Sequence, residues 1–281
     1  MARLSGAAPG NICPSGRNLT TPTAFDPTVR ANDKYLAVVP AYNEQETVGT
    51  VIDALHEHVP EFDVLVVDDG STDTTGDVGR SAGATVVRHP FNLGIGGAVQ
   101  SGFVYASENG YDYMVQVDGD GQHCADQIPR LQSEMRADLG VDMVCGSRFL
   151  TKERGYPAPV SRRTGIHIFA FILSRIIRQR VSDPTSGFRL YNRRAIALFA
   201  RDYPHDYPEV EAVLMVHHHR LRLTEVPVRM RERGGGVSSI GSGKSVYYMI
   251  KVLFAIFIGL ARARPVPEPG DEAPVAASQG L

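Results

Sequence analysis

Residues 35–73 read YLAVVPAYNEQETVGTVIDALHEHVPEFDVLVVDDGSTD, and this stretch decides the fold. It opens on "YLAVV" (35–39), a short apolar run with β-branched residues that stops at Pro40, the pattern of a buried strand. From Glu44 the period changes. Val48, Val51, Ile52, Leu55 and Val59 recur at i, i+3, i+4, i+7 and i+11, which is one face of a helix. "VLVVD" (64–68) is strand-like again, and a Ser/Thr/Asp-rich segment then starts a second helix. Strand, helix, strand in this order indicates parallel strands joined by helical crossovers.

The alternation continues outward. "ATVVR" (84–88) is a third strand, a helix is expected over 96–109, "YMVQV" (113–117) is a fourth strand, a helix is expected near 126–139, and "VDMVCG" (141–146) is a fifth strand. The expected fold is α/β: a mostly parallel sheet covered by helices. Ligands in such sheets bind beyond the carboxyl ends of the strands, so polar residues should gather there. They do: "PAYNE" (40–44), "VDDGSTD" (67–73), "NLGIGGAVQSG" from Asn92 and "VDGDGQH" (117–123) each follow a strand. Asp118 and Asp120, with Gly119 between them, can both turn toward one hard cation. Mg²⁺ or Mn²⁺ takes such oxygen ligands and keeps positions open for phosphate oxygens. An Asp-Gly-Asp by itself is also a common polar turn; four polar clusters at successive strand ends weaken that reading.

Those four motifs in this order resemble family 2 glycosyltransferases of the GT-A fold, a Rossmann-like architecture, over residues 35–240. The nearest likeness is to the dolichol- or polyprenol-phosphate mannosyltransferase branch. The resemblance implies a nucleotide-sugar donor held at Pro40, Tyr42, Glu44, Val67 and Asp69, with the segment at Gly94 nearby. It implies a metal and diphosphate site at Asp118, Gly119, Asp120 and Gln122, with Mg²⁺ or Mn²⁺ as cofactor. It assigns Arg148 to a "GSR" motif, Arg163 to the start of an acceptor helix, and Arg233, with Gly236 and Ser238, to an R-x-x-G-x-S pattern closing over the donor phosphates. His123 beside the aspartates is a candidate supporting residue.

The implied reaction is inverting transfer to a polyprenyl phosphate at the cytoplasmic membrane face. An ionised phosphate needs no strong base, only cations that position it, for which Arg163 and Arg233 are the candidates. A sugar-hydroxyl acceptor, as in cell-envelope polysaccharide or glycolipid synthesis, needs a base. Glu211, Glu209 and Asp183 are then the candidates. The remaining alternative is a non-catalytic nucleotide-sugar-binding scaffold, against which the intact Asp118, Asp120 and Gln122 stand.

Charge adds to this reading. The 281 residues are 43% hydrophobic and 21% charged, with a formal net charge of −2, which argues against a nucleic-acid partner. The total hides a split: residues 35–147 carry 18 acidic and 4 basic side chains, residues 148–264 carry 8 acidic and 21 basic. A basic second half suits an acceptor that is itself a phosphate.

Two apolar stretches, 166–177 and 246–260, are bordered by arginines. Each reads either as a buried core helix or as an interfacial amphipathic helix with arginines at lipid headgroups. Neither reaches the roughly 20 apolar residues a spanning helix needs. The chain is therefore expected to be peripheral, or held by a small membrane-protein partner.

Three cysteines without CxxC spacing give no disulfide framework or zinc knuckle, and no apolar N-terminal run reads as a signal peptide. Residues 1–33 and 265–281 read as disordered tails, with an apolar helix over 241–264. "GSGKS" (241–245) lacks the first glycine of a P-loop, since Ser238 stands there, and "GIGGAV" (94–99) lacks the third glycine of a dinucleotide fingerprint. His217, His218 and His219 are consecutive and cannot share one helix face, so they do not read as a metal site.

Overall fold

The computed structural model describes residues 33–150, 160–205 and 207–231. The expected tails and the apolar 241–264 segment lie outside the described residues, apart from Asp33. Among the described residues, seven strands form one sheet: β1 (Tyr35–Ala41), β2 (Phe62–Asp68), β3 (Thr85–Arg88), β4 (Tyr113–Gln116), β5 (Met143–Ser147), β6 (Arg189–Asn192) and β7 (Leu223–Pro227). Their order across the sheet is β3-β2-β1-β4-β6-β5-β7. All neighbours are parallel except β6, which runs antiparallel to both β4 and β5.

Alternate side chains of each strand enter opposite cores, as a period of two requires. From β1, Leu36 and Val38 enter one core, and Tyr35, Ala37, Val39 and Ala41 enter the other. Helices α1 (Val48–His58), α2 (Thr75–Ser81) and α4 (Ile128–Ala137) border the second core. Helix α3 (Gly94–Glu108) packs on the first with α5 (Val160–Ile177), α6 (Arg193–Arg201) and α7 (Pro208–His218). Helix α3 lies close on β1 because Gly102 has no side chain: a Cβ there would collide with Val38 Cγ1. One residue on, Phe103 is fully buried against Tyr191, Phe199 and Tyr203, at centroid distances of 4.9, 5.1 and 5.2 Å.

All five strands expected from the sequence are present, and two more, β6 and β7, join them. β1 also runs past Pro40, where the sequence ends it. Proline removes a donor from a strand interior. Here β4 pairs with β1 only as far as Val38, so Pro40 lies beyond the end of that ladder, and its carbonyl accepts from Gly119 N–H at 3.3 Å.

The 166–177 stretch is helical within α5, and much of its apolar surface is core. Ile166, Phe169, Ala170, Leu173 and Ile177 are buried in the core, while Ile168 and Phe171 are exposed, Phe171 at 63%. The Arg175 guanidinium lies 5.4 Å from the Phe171 ring centroid. Among the described residues, no helix is long and apolar enough to cross a membrane. His217 and His218 end α7 and His219 caps it, and among the described residues no three His, Cys, Asp or Glu side chains gather as a metal cluster.

Candidate active site

The carboxyl ends of β1, β2 and β4 open onto a cavity of ≈ 900 Å³. Its walls include Pro40, Tyr42, Glu44, Asp69, Gly94 and the Asp118–Gly119–Asp120 turn. Residues of all four strand-end motifs therefore share one space.

Side chains tie these loops together. Asn43, held at φ 54°, accepts at Oδ1 from Thr72 N–H (2.8 Å), and its own N–H donates to Ser71 Oγ (3.0 Å). Glu44 N–H donates to Thr75 Oγ1 at 2.8 Å, and Thr74 N–H to Gln45 Oε1 at 3.1 Å. The loops after β1 and β2 are thus one hydrogen-bonded unit. Asp69, almost fully buried, accepts from Leu93 N–H (2.9 Å) at Oδ1 and from Gly94 N–H (2.8 Å) at Oδ2. It fixes the start of α3 to the end of β2, where a carboxylate also suits the positive end of the helix.

The Asp-Gly-Asp turn is held as firmly. Thr47 Oγ1 donates to Gly119 O at 2.7 Å. A side chain on Gly119 would displace Glu44 Oε2 and come within 3.2 Å of both Ala41 Cβ and Pro40 O, so glycine is the residue that leaves Glu44 in place. Asp120 accepts from Gln122 N–H at 3.0 Å and from Gln122 Nε2 at 2.9 Å. The Asp118 side chain stays 36% exposed. Asp118 N–H donates to His123 Nδ1 at 3.0 Å, so Nδ1 carries no proton. Burial pushes the His123 ring down to about 4, and the neutral ring stacks on Phe188 at 4.9 Å.

These residues suit an open divalent-metal site. Asp118 and Asp120 of one turn line a cavity roomy enough for a diphosphate and water, and Mg²⁺ or Mn²⁺ commonly takes only one or two carboxylates from a protein. Gln122 meets the site through Asp120, by donating its amide to that carboxylate.

The remaining candidates are placed differently. Val67 is fully buried in the core, in register with Pro40 on β1 and Val87 on β3. Arg148 forks onto Asp183: Nε to Oδ2 at 2.7 Å and a terminal nitrogen to Oδ1 at 2.7 Å, with a further bond of 2.8 Å to Thr185 Oγ1. Beneath this pair, Glu225 of β7 accepts from Ser182 N–H (2.7 Å) and Asp183 N–H (3.0 Å), and burial is the main reason its carboxyl is pushed upward.

Glu209 and Glu211 stand in the first turn of α7. Burial raises the Glu209 carboxyl, and the Asp118 charge adds to this while Arg189 and Arg148 oppose it. Arg163 lies in α5, and Arg233 lies outside the described residues. The described chain ends at Arg231, whose N–H donates to Gln122 O at 2.8 Å, two residues past the Asp118–Gly119–Asp120 turn.

Two site-building residues carry no sequence signal. Arg189, fully buried at the head of β6, donates to the carbonyls of Ser186 (2.7 Å), Pro184 (3.2 Å) and Glu209 (2.7 Å). It thereby binds the loop before β6 to the head of α7. His89, just after β3, contacts Asp69, and no spacing rule marks it.

Residues 36–199 match the family described as Glycosyl transferase family 2. An undecaprenyl-phosphate mannosyltransferase from Micrococcus luteus is 33% identical over 75% of this chain and 88% of its own length. A polyprenol monophosphomannose synthase from Mycolicibacterium smegmatis is 31% identical over 85% of this chain and 93% of its own length. Among solved structures, glucosyl-3-phosphoglycerate synthase from Mycobacterium tuberculosis, in complex with Mn²⁺, uridine diphosphate and glucosyl-3-phosphoglycerate, superposes with a TM-score of 0.62. It is 19% identical, over 83% of this chain and 82% of that one, and supports the GT-A fold. By its motifs, its sheet and the span of these matches, the chain belongs to glycosyl transferase family 2 and is a glycosyltransferase.

Proposed function

We propose that the chain transfers a sugar from a nucleotide-sugar to a polyprenyl phosphate at a membrane surface, with inversion at the anomeric carbon. One observation carries the reading: Tyr42, Glu44, Asp69 and the Asp118–Gly119–Asp120 turn line a single cavity in a chain 33% identical to a polyprenyl-phosphate mannosyltransferase. Glu44 and Asp69 supply acceptors for the base and ribose of the nucleotide, and Asp118 and Asp120 would hold Mg²⁺ or Mn²⁺. Bound there, the ion would neutralise charge that grows on the departing diphosphate. The acceptor phosphate oxygen attacks in line from the opposite side, positioned by Arg163 and Arg233. The Arg231–Gln122 bond supports a role for the segment that carries Arg233.

A second reading has its own support. The half-buried, upward-shifted carboxyl of Glu209 is the kind of group that serves as a general base toward a sugar hydroxyl. The purified chain, given Mn²⁺, a panel of nucleotide-sugars and either a polyprenyl phosphate or sugar acceptors, should glycosylate the lipid phosphate. Glu209→Gln and Glu211→Gln should each keep at least about a tenth of that turnover, because an ionised phosphate needs no base. If either variant abolishes turnover while donor binding persists, the hydroxyl-acceptor reading replaces this one. Donor binding without any transfer would favour a scaffold.

The exposed Ile168 and Phe171 of α5, with Arg175 beside them, support direct contact with an anionic lipid surface. The full chain should float with anionic vesicles at low salt, and Phe171→Glu should cut the floated fraction several-fold without lowering Tm. Recovery of all protein in the unfloated fraction would overturn lipid binding and leave a membrane-protein partner as the recruiter.

A further inference from the structure

Asp69, His89 and Ser101 form a hydrogen-bonded line from the donor cavity into α3. His89 Nδ1 lies 2.7 Å from Asp69 Oδ1, and His89 Nε2 lies 2.9 Å from Ser101 Oγ. The histidine is buried, and its backbone N–H is fixed to Asp68 O at 2.9 Å. Neither the strand order nor the core needs a polar ring at this point; an apolar side chain would fill the same volume.

We propose that His89 is a positioning residue for donor binding: it locks the Asp69 carboxylate so that Oδ2 keeps an acceptor direction for the nucleotide. This rests on the proposed contact between Asp69 and the donor. Both Asp69 oxygens already accept backbone N–H groups, from Leu93 and Gly94. The ring nitrogen facing Oδ1 therefore carries a proton and donates it. In the neutral ring Nε2 is then an acceptor, so the Ser101 hydroxyl donates to it. For that tautomer the line runs Ser101 O–H to Nε2, then Nδ1–H to Oδ1. Oδ1 takes two donors and Oδ2 takes one, so the acceptor capacity left on Asp69 belongs to Oδ2. Asp69 is a wall of the donor cavity. Without the Nδ1–H donor the carboxylate can rotate on its two remaining bonds and lose that alignment. Ser101 keeps the ring in the right tautomer from two turns inside α3.

Asparagine and glutamine separate the two ends of the ring. An asparagine amide reproduces the Nδ1 donor, whereas a glutamine amide reaches the Nε2 position and leaves Oδ1 one donor short. The full chain with Mn²⁺ is titrated with a panel of purine and pyrimidine nucleoside diphosphates, and the tightest binder is carried to the variants. Relative to the parent, His89→Asn is expected within about threefold, and His89→Gln weaker by about tenfold, the worth of one hydrogen bond to a charged group. The donor KM of His89→Gln should rise with kcat held, and Tm should be alike in the two variants. If the two variants weaken binding equally and in step with Tm, His89 only packs, and the proposal is overturned. Asp69→Asn reports on the underlying reading: if it leaves nucleotide affinity at the parent value, Asp69 does not touch the donor. If Asp69→Asn loses affinity but His89→Gln does not, the contact stands and the positioning role falls.

Discussion

Asp118→Asn is expected to lower kcat/KM by about a thousandfold, the equivalent of several kcal/mol of transition-state stabilisation at a metal-assisted centre. The substitution is nearly isosteric at a side chain that is 36% exposed at the cavity wall. The turn itself is held by main-chain bonds, Thr47 to Gly119 O and Asp118 N–H to His123, which asparagine preserves. Tm should therefore stay within a few degrees while activity collapses. The carboxylate charge is what the variant removes. The Mn²⁺ concentration for half-maximal rate should rise in parallel. Initial rates measured across a Mn²⁺ series decide this; a variant within tenfold of the parent would show that Asp118 is not a ligand.

The second large effect is on stability. Arg148→Ala should destabilise the chain by about 3–5 kcal/mol, because it leaves a buried carboxylate without its counter-charge. Asp183 is fully buried and the Arg148 side chain only 6% exposed. Solvent can do little for the charge left behind. With a fold of this size the loss corresponds to a fall in Tm on the order of 10 °C. Arg148→Lys keeps a cation but not the two-pronged fork, and should lie between parent and alanine. The double replacement Arg148→Ala with Asp183→Ala should recover much of the loss, since it removes the orphaned charge as well. Urea unfolding of the four proteins tests the pair; an Arg148→Ala cost under about 1 kcal/mol would mean the fork contributes little.

Much of this architecture is legible in the sequence for identifiable reasons. β1, β2 and β4 are runs of β-branched and apolar residues buried on both faces, and α1 keeps its apolar face at helical spacing. The cavity is legible because its walls are strand-end loops, which a parallel sheet brings to one edge. β6 is hidden for the opposite reason. It is four residues long, "RLYN", headed by a buried arginine and followed by two more arginines, so its apolar pair Leu190–Tyr191 is too short to show a strand period. β7 carries Thr224 and Glu225, and Glu225 is used to hold residues 182 and 183. Contacts between distant charges are equally invisible. Arg148 in "GSR" looks like a phosphate ligand, but the sequence does not show that Asp183, 35 residues on, meets it in a fork. Asp69 looks like a group reserved for ligand, yet much of its bonding capacity holds the chain at Leu93 and Gly94.

The position of β6 has a consequence for how the polypeptide is made. The strands β1 to β4 can assemble into a contiguous half-sheet once residue 116 is available. β5 cannot join it, because both of its neighbours, β6 and β7, lie downstream in the chain. During the roughly forty residues of synthesis between β5 and β6, the β4 edge is open and β5 has no partner, and unpaired edges of this kind invite pairing with another chain. β6 then closes the gap by running against the direction of its neighbours, so one four-residue strand joins the β1–β4 half of the sheet to the rest. The step that completes the sheet is therefore among the last, and it is the interval in which a nascent chain depends most on being shielded from its copies.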